Sequence, residues 1–269
     1  MVIAGLLACA LTLGVEQRSA KAAEADDPWP GLVRDVFNGR EIADGAGLLV
    51  LDTPYRAEDA ALVPLTVRTT LPAGDARYVK NLTVVIDKNP APVAATFQIG
   101  ASSGISSIST RVRVDMYTDV HAVAELSDGK LYAVKTFVKA SGGCSAPAAK
   151  TADEAKSSVG QMRFRQFAKI DAPVSRAREA QIMVRHPNNS GLQMDQITRH
   201  YVPIFFVRDL KVWQGDTLVF AMEGGISISE DPNIRFNYMP NGAKTFRVEA
   251  TDTNDTVYRG EWPADTSEM

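Results

Sequence analysis

Past Leu62 the apolar residues of this chain recur at every second position, and that period limits what it can fold into. Val112, Val114 and Met116 alternate with Arg111, Arg113 and Asp115. Phe246, Val248 and Ala250 alternate with Arg247 and Glu249. A period of two places successive side chains on opposite faces of a strand, so one face is buried and the other wet. Repeated over strand-length runs separated by turn residues, the pattern predicts antiparallel sheets rather than helices or a buried parallel sheet.

Six such runs fall in the first half: Val63 to Leu71, Tyr78 to Asp87, Val93 to Ile99, Ser107 to Met116, Val120 to Leu126 and Leu131 to Val138. Asp128-Gly129 between the last two is a hairpin signal. Seven more fall in the second half: Met162 to Ala168, Glu179 to His186, Tyr201 to Val212, Thr217 to Met222, Ile234 to Tyr238, Thr245 to Ala250 and Val257 to Trp262. There Asn241-Gly242 reads as a hairpin and His186 to Gly191 as a turn cluster. Ahead of these strands, Asp26 to Arg40 has the spacing of a short amphipathic helix ended by Asn38-Gly39, and Ala57 to Ala61 suggests one helical turn. The fold expected is all-β, with two immunoglobulin-like β-sandwich domains.

Composition narrows the function classes. The 269 residues carry a formal charge of −3, with 23% charged and 45% hydrophobic residues and no Lys/Arg-rich run. That balance fits a globular chain with material for real cores and argues against a nucleic-acid binder or a basic membrane-surface helix. Val2 to Val15 is apolar but too short to span a bilayer, and Ala20-Lys21-Ala22 is an A-x-A cleavage site. The segment reads as a signal peptide releasing a chain that starts at Ala23, which makes the expected location periplasmic. No Lys or Arg precedes the apolar run, so a start upstream is also open; Leu6-Leu7-Ala8-Cys9 gives a lipoprotein signal as the rival reading. The expected layout is a signal peptide over 1–22, a first sandwich over 23–140, an arm and linker over 141–160, and a second sandwich over 161–269.

Export would leave Cys144 as the sole cysteine, with no partner for an internal disulfide. It follows Gly142 and Gly143 and precedes Ser145 to Gly160, a stretch without an aromatic residue. Glycines give wide backbone freedom, so the reading is an exposed thiol on a flexible arm. Other uses of a cysteine fit less well. A hydrolase nucleophile needs a positioned histidine, and His121, His186 and His200 are none of them paired with Cys144 in sequence. There is no C-x-x-C, H-x-x-x-H or methionine-rich spacing for a metal, so neither a metal nor another cofactor is expected. Ser227 and Asp231 read as turn and interface residues, and His186 as a structural turn residue. Lys139 and Lys150 read as solvated lysines.

At this point the residues carry a resemblance. Pro54-Tyr55-Arg56-Ala57-Glu58-Asp59 leading into Val63-Pro64-Leu65-Thr66-Val67, Asp115-Met116, and a last strand running into Gly142-Gly143-Cys144 resemble SoxY, the sulfur-carrying subunit of a bacterial sulfur-oxidation system. His186-Pro187 with Gly191 and Asp195, Tyr201 to Val207, and Gly224-Gly225-Ile226-Ser227 with Asp231-Pro232 and Phe236 resemble SoxZ. Both in this order are similar to the fused SoxYZ-like carriers associated with quinoprotein dehydrogenases. The resemblance implies a non-catalytic carrier that holds a sulfur intermediate, as in thiosulfate oxidation, covalently on Cys144, with Gly142 and Gly143 as its flexible mount. The implied partners are periplasmic sulfur-oxidising enzymes, c-type cytochromes or a quinoprotein dehydrogenase. One departure stands out: SoxY ends in a free Gly-Gly-Cys-Gly-Gly arm, whereas here Cys144 is followed by Ser145-Ala146-Pro147 and a second domain. A different class of function is also open, an interaction module that docks on a dehydrogenase or cytochrome with Cys144 incidental.

Overall fold

The computed structural model describes residues 27–72, 74–147, 157–167 and 177–265. The expected signal peptide and residues 148–156 of the expected arm and linker, Lys150 among them, lie outside the described residues. The chain divides into a segment ending at Arg40 and a compact unit from Glu41 onward. In the first, helix α1 (Trp29–Phe37) stops where Asn38 takes a left-handed conformation and its N–H returns to the Val33 carbonyl. That is the stop expected of Asn38-Gly39. The Trp29 and Phe37 rings meet on one side of the helix, with centroids 6.2 Å apart.

The larger unit is built from strands. In order they are β1 (Ile42–Asp44), β2 (Leu49–Asp52), β3 (Val63–Thr69), β4 (Val79–Ile86), β5 (Val93–Ile99), β6 (Ser107–Val112), β7 (Thr118–Leu126) and β8 (Leu131–Val138). The second half adds β9 (Met162–Phe167), β10 (Arg178–Val184), β11 (Val207–Gln214), β12 (Thr217–Gly224), β13 (Asn233–Tyr238), β14 (Thr245–Asp252) and β15 (Val257–Pro263). They form two sheets, in the orders β1-β8-β7-β4-β5-β12-β11-β14-β15 and β2-β3-β6-β13-β10-β9. Their inner faces meet in an apolar core that includes Leu65, Phe97, Phe220, Phe236 and Phe246. The all-β, immunoglobulin-like expectation holds.

Both sheets run unbroken from the first half of the chain into the second. β5 pairs antiparallel with β12, from Ile99 opposite Phe220 to Ala95 opposite Gly224. In the other sheet β6 pairs with β13, Ser109 opposite Arg235 and Ile108 opposite Phe236. Each half thus covers what would be an open edge of the other, and an open edge is a liability that folded sheets hide. The core is shared too: the rings of Phe97 and Phe220, one from each half, meet edge to face at 6.0 Å.

Four expectations need correction. Ala57 to Ala61 is not helical; the Asp59 carboxylate accepts the Ala61 N–H in a local turn. The run from Ser107 does not continue as a strand to Met116. β6 ends at Val112, after which Arg113 N–H turns to the Ser227 carbonyl and Val114 N–H to the Ala60 carbonyl. Tyr201 to Val212 is not one strand. Pro203 has no N–H for a ladder, Phe205 only bridges to Asn189, and β11 begins at Val207. Asn241-Gly242 is a turn but not a hairpin, because β13 and β14 belong to different sheets. The dipeptide specifies a chain reversal, not a pairing partner.

Sheet continuity predicts one unfolding transition for both halves. Calorimetry should give a single peak with matching calorimetric and van't Hoff enthalpies, and two resolved peaks would contradict it. Phe220→Ala, which empties the shared core, should lower that single transition at a cost of about 3–5 kcal/mol.

Candidate functional site

The site lies where the two halves meet, and it is assembled from loops of both. The first begins at Asn89, just past β4. Its side-chain amide is buried. Nδ2 donates to the Arg113 carbonyl at 2.8 Å and to Ser227 Oγ at 2.9 Å, while Oδ1 accepts the Asp115 N–H at 2.8 Å. One amide therefore shapes the segment after β6 and ties it to the second half. Ser227 reinforces the tie by donating to the Ala91 carbonyl. Ser227 is the interface residue expected, and Asp231 is as well, since its carbonyl accepts from Arg111 Nη2 at 3.1 Å.

Cys144 rests on that segment. Gly142 N–H donates to the Asp115 carbonyl at 2.8 Å and Gly143 N–H to the Val114 carbonyl at 3.1 Å. Cys144 N–H donates to Asp115 Oδ1 at 3.2 Å. On the other side, Ser190 Oγ–H donates to the Cys144 carbonyl. Ser190 belongs to a loop of the second half, in which Asn188 takes a positive φ of 44°. Cys144 is thus gripped by both halves and is 0% exposed.

This corrects the expectation of an exposed thiol on a flexible arm. The glycines serve fit rather than freedom. Gly142 has a φ of +77°, a conformation other residues rarely adopt. Gly143 lies so close to the neighbouring backbone that a Cβ would come within 2.1 Å of the Ala60 carbonyl oxygen and 2.6 Å of that of Val114. A Gly-Gly pair signals either mobility or close packing, and composition alone does not separate the two.

Sequence reasoning missed Arg113. The alternation placed it on the wet face, but it lies beyond the end of β6 and is 1% exposed. Nη1 donates to the Gly143 carbonyl at 3.1 Å and Nη2 to the Asn188 carbonyl at 3.4 Å, and Nε has no partner. The guanidinium thus bridges the cysteine segment and the second half. The available signal was Arg113 lying next to the Asp115-Met116 stretch singled out for its likeness to SoxY.

The electrostatics keep the thiol protonated. Burial, and secondarily the Asp115 carboxylate, push the Cys144 thiol up to about 12, against a smaller opposing pull from Arg113. At pH 7 the thiolate is then on the order of one molecule in a hundred thousand. Since the thiolate is the nucleophile, the seated cysteine is nearly inert. No histidine activates it. His121 Nδ1 pairs with Asp87 Oδ1 at 2.8 Å within the first half. His200 lies on an exposed turn. His186 is buried behind the site, its Nδ1 accepting the Asn188 N–H at 3.1 Å. Among the described residues no group of three or more His, Cys, Asp or Glu could hold a metal ion. None of their helices is long and apolar enough to cross a membrane.

Beside the site the chain from Asn189 to Phe205 projects as a hairpin, bridged at Met194 and Tyr201. Asp195 Oδ1 accepts the N–H groups of Ile197 and Thr198, which fixes the tip. Ile197 stands there 93% exposed, with Tyr201 and Ile204 also exposed along the hairpin.

Two predictions follow from this geometry. Gly143→Ala should unseat the segment, and native labelling of Cys144 by a thiol reagent should accelerate at least about tenfold, a cost of about 1.4 kcal/mol or more to the closed state. An unchanged rate would mean the seat tolerates a side chain. The second concerns His186, whose imidazole is lowered to about 4 by burial. Its folded value lies below the ordinary 6.5, so the unfolded chain binds the proton more readily. Its contribution to stability is complete above about 6.5 and falls as pH drops from there toward 4. His186→Asn, which keeps an acceptor for the Asn188 N–H, should remove that part of the acid loss in urea titrations at stepped pH.

Comparison with known proteins bears on both halves. The family model described as sulfur oxidation protein SoxY matches residues 33–144, and the one described as sulphur oxidation protein SoxZ matches residues 169–263. The SoxY match ends on Cys144 itself. A search of the curated proteins finds no match. Among solved structures, the sulfur carrier protein SoxY from Chlorobium limicola f thiosulfatophilum aligns at 23% identity and a TM-score of 0.33, covering 42% of this chain and 94% of that one. A superoxide reductase (neelaredoxin) from Ignicoccus hospitalis aligns at 8% identity and a TM-score of 0.30, covering 34% of this chain and 79% of that one. With a SoxY domain followed by a SoxZ domain in a single polypeptide, the chain is a fused SoxYZ-like protein.

Proposed function

We propose that this protein is a non-catalytic sulfur carrier that holds a sulfur-containing intermediate covalently on Cys144 and presents it to partner enzymes. The observation that carries the reading is the position of Cys144, at the end of the SoxY match and at the junction with the SoxZ-like half. The proposed setting is the periplasm, and the proposed partners are sulfur-oxidising enzymes, c-type cytochromes or a quinoprotein dehydrogenase. The cargo bond needs no cofactor. A thiol that must not react between visits gains from a seat that keeps it neutral and buried, because an exposed thiol in an oxidising compartment is an oxidation liability.

Loading requires the seat to open. What must break is defined: three N–H bonds from Gly142, Gly143 and Cys144, and two bonds accepted by the carbonyls of Gly143 and Cys144. The three neutral ones are worth about 0.5–1.5 kcal/mol net each and the two that involve Arg113 and Asp115 about 1.5–3, together within reach of a tightly docking partner's binding energy. The hairpin carrying Ile197 shares Ser190 with the cysteine seat, so a protein bound to it would act on the same loop.

Burial of Cys144 favours a second reading, an interaction module that docks through its exposed apolar hairpin with the cysteine incidental. Intact mass of the protein taken from a periplasm without reductant separates the two. The carrier predicts a reductant-labile adduct that is absent from Cys144→Ser, and loss of pathway function in that variant with the fold intact. An unmodified thiol with normal function in Cys144→Ser would leave the docking module.

A further inference from the structure

Arg113 is the buried charge at this site whose own needs the seat leaves unmet. Its guanidinium is a full positive charge at 1% exposure. Among the described residues no carboxylate forms an ion pair with it; Glu230 and Asp59 act on it only as more distant charges. Its hydrogen bonds go to two backbone carbonyls, and Nε is unsatisfied. Burying an unpaired charge is costly, and folded proteins normally pair it. A guanidinium offers five N–H donors in a planar fork, so three of them here have no acceptor. Such a fork suits the oxygens of a sulfonate or carboxylate.

The missing partner need not belong to the chain. One of the two carbonyls on Arg113 is that of Gly143, the residue preceding the cysteine, and the guanidinium lies near enough to the Cys144 thiol for each to act on the other's charge. We propose that Arg113 is the receptor for the anionic end of the group carried on Cys144, so that the closed seat selects its cargo by charge. This rests on the carrier reading and adds a specificity-determining residue to it. With a free thiol the seat is neutral at sulfur and the cation stays unpaired. An adduct ending in a sulfonate supplies the counterion and tightens the seat. A neutral adduct gives nothing in return, and a cationic one is repelled. Glu230 and Asp59 temper the field without reaching ion-pair distance, and Asp115, whose carboxylate accepts the Cys144 N–H and outweighs Arg113 at the sulfur itself, opposes negative charge there, so the anionic end has to lie beyond the sulfur, against the guanidinium.

The test uses the full chain and three methanethiosulfonate reagents of similar size, ending in a sulfonate, a methyl and a trimethylammonium group. In each reaction the Cys144 thiolate attacks the reagent's sulfenyl sulfur, a mixed disulfide forms, methanesulfinate leaves, and the thiol proton goes to solvent. Release by an uncharged phosphine is then followed by intact mass, in native buffer and, for intrinsic reactivity, in urea. After normalisation the sulfonate adduct should be released about tenfold or more slowly than the methyl adduct, the scale of one charge-assisted hydrogen bond, and the ammonium adduct fastest. The order should collapse in Arg113→Met and persist in Arg113→Lys. Should Arg113→Met not fold, the wild-type order decides alone.

Equal normalised rates, or the same order in folded Arg113→Met, would overturn the proposal. So would adducts that form only in urea and then block refolding, since the seat would have no room for cargo. The carrier reading fails separately, on finding no adduct in protein from the periplasm, whatever the order of release rates.

Discussion

A single buried guanidinium joins the parts of this molecule on which its proposed chemistry depends. Arg113 touches the carbonyl of Gly143 on the cysteine segment and that of Asn188 in the second half. Its own backbone is held by Asn89 and Ser227. Removing the charge would cost the cysteine segment one of its five holding bonds and the two halves one of their ties; removing either carbonyl would leave the charge further unsatisfied. A buried cation held this way is poor value for stability alone, because an apolar residue of the same volume would cost less to bury. At the base of a cysteine seat the same cation is placed to meet an anionic group on the sulfur, which an apolar residue could not do.

The sheets make such a seat available. Since β5 pairs with β12 and β6 with β13, the two halves meet over the depth of both layers rather than through a swinging contact. Loops from both halves therefore converge at fixed separation, and Cys144 can be gripped from both sides. In a carrier whose cysteine sits at a free chain end, the end itself can move. Here the chain continues past Cys144 through Ser145-Ala146-Pro147. The cysteine leaves its seat only if a segment tethered at both ends yields, which asks more of a partner and protects the thiol better in its absence.

Much of the fold was legible in the sequence because the period of two is a direct image of burial. Val93 to Ile99 reads as a strand and is one, with the same ends. The site was less legible, for physical reasons. Alternation identifies a face only while the ladder lasts. β6 stops at Val112, so Arg113 and Val114 both turn inward while Met116 is left exposed. Gly142-Gly143 reads as mobility in the sequence, yet at Gly143 the Ala60 and Val114 carbonyls leave no space for a Cβ. Close approaches of this kind are set by residues distant in sequence. No local pattern encodes them, and the same holds for Ser190, which reaches the Cys144 carbonyl across 46 positions.

The central claim is that Cys144 is seated rather than displayed, and native-state hydrogen exchange on a peptide spanning Ala140 to Pro147 tests it most directly. Gly142, Gly143 and Cys144 are consecutive amides, and each donates to the Val114-Asp115 segment. The account predicts that all three are protected by orders of magnitude relative to the unfolded chain and are released together when the seat opens. Exchange of these amides at the rate of a free peptide would mean that the segment is an open arm and the buried seat is wrong.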